Sequence, residues 1–263
     1  MKHDYITHAG AIFYKHERSE HISEGAFTVH THNTYELIYF LGGNATHVIE
    51  DRKYKLKKGD MILVRPFQHH YIQIDSQGDY ERYDILFDPD RDSVEGVRLL
   101  GEDLEVINLS DNARAREIFE KMDFYRKSCD DEMFGRLLSH LLSELFCLLY
   151  LFPKPSAETS PSVSPLISKA LHFINENLDS IRDIEEISSH LFISQSYLFR
   201  LFRQELHQTP KKYITEKRLY LAQQLLSAGE KPTSVFRRCG FQDYTTFYRN
   251  YTAFFGDSPS EDR

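Results

Sequence analysis

The residues with the greatest chemical capacity lie close together near the start of the chain. His30, His32 and Glu36 form an HxHxxxE array within FTVHTHNTYELIYFL, followed directly by Gly42 and Gly43. On a β-strand, residues two apart face the same side, so His30 and His32 would present two imidazoles in one direction. With a carboxylate and a further histidine, such a set can hold Fe, Mn, Ni or Zn. The same groups can also line a polar pocket or complete a hydrogen-bond network without an ion. No competing catalytic pattern is present: GxSxG, HExxH, GxxxxGKS/T and GxGxxG are all absent, so hydrolase and nucleotide-dependent chemistry are not indicated.

The segment that must position these residues reads as short strands. From residue 26 to 87, FTVHTH, YELIYFL, NATHVIE, KYKL, MILVRP, HYIQI and YDILFD alternate at period 2 between turns at Gly42-Gly43, Asp51 and Gly59-Asp60. An antiparallel sandwich or barrel is expected. From Ala113 the period becomes 3.6: Ala115, Ile118, Phe119, Met122 and Tyr125 form one stripe. A second helix carries two stripes, Phe134, Leu137, Leu141, Leu145, Leu148 and Phe152 beside Leu138, Leu142, Phe146 and Leu149. One stripe can cover the strands, and the other is expected to meet a second chain, giving a homodimer, the alternative being that both are buried within one subunit. Residues 153–165, PKPSAETSPSVSP, read as a linker. Beyond it helices are predicted near 165–178, 183–190, 194–206, 209–228, 232–238 and 243–255, with Pro210 and Pro232 at helix starts and Asp183 and Ser194 as N-caps.

At 263 residues two folded units are expected. No apolar run approaches the roughly 20 residues of a membrane span, and MKHDYITHAG lacks the features of a secretory signal, so a cytoplasmic protein without a membrane partner is expected. Cys129, Cys147 and Cys239 share no CxxC spacing and are read as reduced, packed thiols. The net charge of −8 conceals an asymmetry: residues 1–165 carry 19 Lys and Arg against 28 Asp and Glu, whereas residues 166–263 carry 13 against 12. Between Ser194 and Tyr251 ten basic residues face four acidic ones, a local stripe suited to phosphates.

That basic segment contains a repeat. IEEISSHLFISQSYLFRLFRQEL and PTSVFRRCGFQDYTTFYRNYTAFFG align at an offset of 48, matching Ile187 with Val235, Leu191 with Cys239 and Ile193 with Phe241. After one added residue, Leu198 matches Phe247, Arg200 matches Arg249 and Phe202 matches Tyr251. Each copy reads as a short helix, a tight turn and a longer helix, the helix-turn-helix arrangement. Between them, TPKKYITEKRLYLAQQLLSAG supplies a helix of about 20 residues, roughly 30 Å long, close to the ~34 Å between successive major grooves on one DNA face.

The stretches SQSYLFRLFRQEL, TPKKYITEKRLYLAQQLL, RCGF, FYRNY and FFGDSP resemble the AraC family of bacterial transcription regulators over about residues 165–260. The resemblance implies a double-stranded DNA operator read by Gln195, Ser196, Phe199 and Arg200 in the first unit, with Arg203 beside them, and by Tyr244, Thr245, Tyr248 and Arg249 in the second. Tyr197, Leu198, Leu201, Phe202, Phe247 and Tyr251 should be core. It further implies activation through RNA polymerase and control by a small-molecule effector. The sequence departs from the family pattern at Phe192, where Gly is common in the turn, at Phe236, where a small residue is usual, and at Thr252-Ala253, which replace basic positions.

The HxHxxxE array with its glycines resembles the first cupin motif, and Gly59, Asp60 and His70 resemble the second, with Arg65 and Phe67 standing where Pro and Gly are usual. The resemblance implies a metal site at His30, His32, Glu36 and His70, as in a cupin oxygenase or isomerase, or a metal-free effector pocket of the same residues with Tyr39. Regulators of this family commonly keep these residues without metal, so no cofactor is expected, and the fused DNA-binding domain argues against an enzyme. His69 is expected to be exposed, and His47 to be a surface or pocket residue. Tyr35, Tyr39, Tyr71 and Tyr83 would suit a sugar or similar hydroxylated effector. The expected fold is therefore α+β in two domains: a cupin-like antiparallel β-barrel over 1–110 with dimerisation helices over 111–152, a linker over 153–165, and an all-α tandem helix-turn-helix domain over 166–263.

Overall fold

The computed structural model describes residues 5–9, 12–26, 29–101, 104–152, 160–161, 163–206, 208–227 and 229–260. The chain divides into two compact units, Met1–Ser162 and Val163–Arg263.

The first unit is built from β1 (Tyr5–Ala9), β2 (Ile12–Ile22), β3 (Gly25–Ala26), β4 (Tyr35–Gly42), β5 (Ala45–Ile49), β6 (Arg52–Lys55), β7 (Asp60–Val64), β8 (His70–Ile74), β9 (Gly78–Phe87), β10 (Val106–Asn108) and β11 (Ser160–Pro161), with α1 (Ala113–Ser128) and α2 (Asp131–Leu151). Two sheets run in the orders β1-β2-β9-β4-β7-β10 and β11-β6-β5-β8-β3. Alternation decides which core each residue enters. Ile38 and Phe40 of β4 pack with Ile49, Ile62, Ile72 and Ile74 in one core, while Leu37 and Tyr39 pack with Ile85, Phe87, Phe119 and Leu142 in another, which includes the helices. Asn112 caps α1 by accepting from the Ala115 amide, and Asp130 caps α2 by accepting from Met133.

Two expectations are corrected here. The FTVHTH stretch is not a continuous strand: Phe27 and Thr28 lie outside the described residues, His30 makes an isolated antiparallel bridge to His70, and His32 follows in a loop. The second apolar stripe of α2 does not wait for another chain. Leu138, Leu142, Phe146 and Leu149 of one stripe and Phe134, Leu141 and Leu145 of the other are buried within one subunit, because α2 packs against both α1 and the sheet, whereas Leu137 and Leu148 are half-buried and Phe152 is exposed. The same burial accounts for a helix with mean hydropathy 1.3, long and apolar enough to cross a membrane. The 11-residue β2 escapes sequence reading, because Lys15, Glu17 and Arg18 interrupt its apolar alternation; across the ladder each stands opposite an unlike charge, Asp84, Arg82 and Glu81 respectively.

The second unit contains α3 (Pro165–Glu176), α4 (Ile184–His190), α5 (Gln195–Glu205), α6 (Pro210–Ser227), α7 (Pro232–Arg238) and α8 (Tyr244–Phe255). Each start has a local cause. Ser164 caps α3 with Pro165 in its first turn, Asp183 and Glu186 form a capping box on α4, and Ser194 and Asp243 cap α5 and α8 by accepting from Tyr197 and Thr246. Two separate apolar cores result. One joins α3, α4 and α5 to Tyr213 and Ile214 of α6; the other joins Leu219, Ala222 and Leu226 of α6 to α7 and α8. They share no residue. The turns between α4 and α5 and between α7 and α8 both pass through a left-handed residue, Phe192 at φ 57° and Gly240 at φ 81°.

Candidate nucleic-acid interface and the histidine site

In the second unit, α5 and α8 occupy equivalent places after a short helix and a left-handed turn. Gln195, Ser196, Phe199 and Arg200 stand at the same helical positions as Tyr244, Thr245, Tyr248 and Arg249. Gln195, Ser196, Arg200 and Arg203 are exposed and Phe199 is half-buried; Thr245, Tyr248 and Arg249 are exposed and Tyr244 is half-buried. The opposite faces anchor the helices. Leu198, Leu201, Phe202, Phe247 and Tyr251 are buried as expected, while Tyr197 is only half-buried and carries the Arg200 guanidinium over its ring at 4.8 Å. An exposed row of amide, hydroxyl, aromatic and guanidinium groups on two such helices matches the inventory of base-edge and phosphate contacts.

The two units differ where the sequence departs from the family pattern. Phe236 is accommodated by an aromatic cluster, edge-on to Tyr244 at 5.7 Å and stacked on Phe247 at 6.5 Å, so Tyr244 is partly held by packing. Thr252 and Ala253 add no cation to α8. Several of the ten basic residues have partners within the unit, among them Lys212, which pairs with Glu216 at 3.6 Å. Arg238 pairs with Glu230, and Arg218 donates to the backbone carbonyls of Leu178 and Ile181 at 2.8 and 2.5 Å.

In the first unit, His30, His32, Glu36 and His70 are brought together, one ligand atom from each lying within 4.8 Å of all the others. Glu36 ends in a buried position on β4 and His70 begins β8, with the isolated bridge fixing His30 against it. His70 Nε2 lies 2.7 Å from Glu36 Oε2, and its Nδ1 lies 2.9 Å from the Gln68 carbonyl oxygen. Both neighbours are acceptors, which favours the charged, doubly protonated ring. Burial opposes this charge, but the hydrogen bond and charge of Glu36 outweigh it and raise the His70 pKa. Burial likewise opposes the Glu36 carboxylate, and the His32 and His70 hydrogen bonds outweigh it, holding its pKa well below 4.5. By type and span the four residues suit a divalent ion. A metal on His70 Nε2 would have to displace its contact with Glu36.

Tyr39 does not join this cluster. It lies on the other face of β4, stacked on Phe119 at 4.1 Å. Tyr35 stacks on Phe87, and Tyr83 donates to Asp123 of α1, so these rings serve the helix-facing core. His69 is buried rather than exposed. His47 is 1% exposed, its ring stacked 6.1 Å from His70, and burial pulls its pKa down to about 3. Sequence reading also misses the buried pair of Arg82 and Asp84, 3.0 Å apart; period-2 alternation along β9 was the available signal.

These features agree with comparisons to known proteins. Residues 18–173 match the family model of the AraC-like ligand binding domain, and residues 187–263 match a helix-turn-helix domain model. The transcriptional activator RhaR of Cronobacter sakazakii is 28% identical over 252 residues, covering 90% of this chain and 86% of its own length. The lactose operon transcription activator of Staphylococcus xylosus is 31% identical over 128 residues, covering 48% and 46% respectively. Among solved structures, an AraC-type DNA-binding protein from Chromobacterium violaceum is 30% identical over 38% of this chain and 89% of its own, with a TM-score of 0.36. ToxT from Vibrio cholerae is 13% identical over 94% and 96%, with a TM-score of 0.38. With a cupin-like sheet domain ahead of a helical domain that repeats one helix-turn-helix unit twice, the chain belongs to the AraC family of transcription regulators.

Proposed function

We propose that this regulator activates sugar-related genes in the cytoplasm, reading a double-stranded operator with α5 and α8 and responding to a small hydroxylated effector held by its first unit. The observation that carries the reading is the equivalence of the exposed faces of α5 and α8, each ending its first turns in an arginine, on either side of one helix. The 18 residues of α6 span about 27 Å, which suits two reading heads one DNA turn apart. In this reading, Gln195, Ser196, Phe199, Arg200 and Arg203 contact one groove, and Tyr244, Thr245, Tyr248 and Arg249 the next. The names of the RhaR and lactose-operon relatives support activation and a carbohydrate signal.

The polar set of His30, His32, Glu36 and His70 serves as the effector-binding network without a metal. His70 Nε2 already lies 2.7 Å from Glu36 and its Nδ1 2.9 Å from the Gln68 carbonyl oxygen, so an effector hydroxyl would join or replace polar contacts already present. Homodimerisation and contact with RNA polymerase complete the activator reading. Exposed Phe124 of α1 and Met133, Tyr150 and Leu151 of α2 offer apolar surface for a second copy. Selection of genomic fragments by the purified full-length protein, repeated with and without a panel of sugars, tests the reading. An enriched two-box motif upstream of carbohydrate genes, bound more tightly with one sugar, is expected. Recovery of fragments without any shared motif overturns it.

A further inference from the structure

We propose that Arg218 is the joint that sets the spacing and angle of the two DNA-reading helices, and through them the separation of operator boxes the protein accepts. The inference rests on the reading of α5 and α8 as recognition helices. Its starting point is the absence of a shared core: α6 contributes Tyr213 and Ile214 to the first apolar cluster and Leu219, Ala222 and Leu226 to the second. Arg218 lies at the seam between them. Apolar packing alone fixes each unit to its own half of α6, so polar contacts at the seam decide how the halves are held.

Arg218 reaches both units at once. Its Nε donates to the Leu178 carbonyl at 2.8 Å and its Nη2 to the Ile181 carbonyl at 2.5 Å, gripping the loop that leads from α3 into α4. From the other side, the left-handed turn of the second unit rests on the same guanidinium. A Cβ placed on Gly240 would lie 2.9 Å from Arg218 Cζ and 2.7 Å from the Asp179 carbonyl oxygen. Loop, guanidinium and turn thus meet at one place, the turn lying against both the guanidinium and the Asp179 carbonyl while the guanidinium holds the loop. The planar fork is needed because two carbonyls must be met together; a lysine ammonium is a point charge and cannot hold both in that geometry. The contact also accounts for a difference between the repeats. Phe192, equivalent to Gly240, is 95% exposed and meets no such partner, so a side chain is tolerated there at the same backbone conformation.

The test uses the full-length protein and a two-box duplex selected by the wild type from a random pool, with variants in which one box is scrambled or the spacing is changed by one base pair. For Arg218→Lys, the expected result is single-box affinity within about twofold of wild type, as for an independent site. Two-box affinity should fall about tenfold, the scale of losing a hydrogen bond from a charged group, and discrimination against altered spacing should disappear. Gly240→Ala, which presses on the same joint from the second unit, should relax spacing in the same way, and it stands as the test if Arg218→Lys does not fold. Native spacing preference in the folded variants overturns the proposal. So does a proportional loss of single-box and two-box binding, which marks a residue that only supports folding. A wild type that selects no DNA refutes instead the reading on which the proposal stands.

Discussion

Replacing Arg200 and Arg249 singly by alanine separates base reading from mere electrostatic attraction. Each is the sixth residue of its helix, about 7.5 Å along the axis from the first, and each is exposed. A bidentate arginine contact to guanine O6 and N7 is worth about 1–3 kcal/mol of discrimination, or roughly 5- to 150-fold at one operator position. The stacking of Arg200 over Tyr197 at 4.8 Å pre-orients the guanidinium and contributes on the order of 0.5–1 kcal/mol at an exposed site, too little to account for the upper part of that range. The second unit should contribute less, because Tyr244 is held by Phe236 and α8 lacks cations at Thr252 and Ala253. Arg200→Ala is therefore expected to cost more affinity than Arg249→Ala. Titration of the selected operator at two salt concentrations, with every single-base variant, measures both effects. A phosphate contact would weaken all sequences alike and lower the salt slope by about one. Native affinity and native base preference in both folded variants would remove these helices from the DNA interface.

Other perturbations address the supporting structure. Gly240→Ala should destabilise the second unit by about 2–5 kcal/mol, from roughly 1–2 for the left-handed conformation and 1–3 for overpacking; a loss under ~1 kcal/mol in urea titration contradicts the close approach to Asp179. Changing both Leu141 and Leu145 to Asp should unfold the first unit rather than release a folded monomer, since both are buried within one subunit; a folded species by circular dichroism would refute this. Purified protein should contain negligible Fe, Mn, Ni or Zn by elemental analysis, unchanged in the His30→Ala, His32→Ala variant, and one tightly bound ion per chain would refute the metal-free network. Burial opposes the His16 cation, but hydrogen bonds to Asp123 and Glu81 raise its pKa above 6.5. Its contribution is therefore fully present below pH 6.5 and lost as pH rises through the higher folded value. The thermal midpoint should fall over that range in wild type and not in His16→Gln.

Legibility in the sequence followed the locality of the cause. Helix starts were readable because a cap acts within three residues: Asp183 and Ser194 bond the turns directly after them. The repeat was readable because 3.6-residue apolar spacing recurs with the same turn between. Strand β2 was not, because the unlike charges that stand opposite its charged residues, Glu81, Arg82 and Asp84 across the ladder, lie more than 60 positions away. The histidine cluster was half legible. Residue types were visible, but His30 and His32 meet through a bridge and a loop rather than along one strand. Tyr39 was misplaced because an odd–even step along β4 turns it from the face of Glu36 to the face of Phe119.

The two left-handed turns show why a repeat in sequence need not carry the same residue at the same structural position. Both turns need φ near +60° to +80°, and an L-residue with a side chain pays about 1–2 kcal/mol for it. At Phe192 that cost is the only one, since the side chain extends into open space, and a domain with a complete apolar core and three side-chain helix caps tolerates it. At Gly240 the backbone is pressed against Asp179 and Arg218, and a Cβ would add a clash with a main-chain carbonyl that cannot rotate away. The glycine is required by a contact 61 residues distant from Asp179, not by the turn alone. Symmetric units joined end to end therefore become inequivalent at the seam: the second unit gives up side-chain freedom in its turn to be held against the first, and the first keeps its turn free.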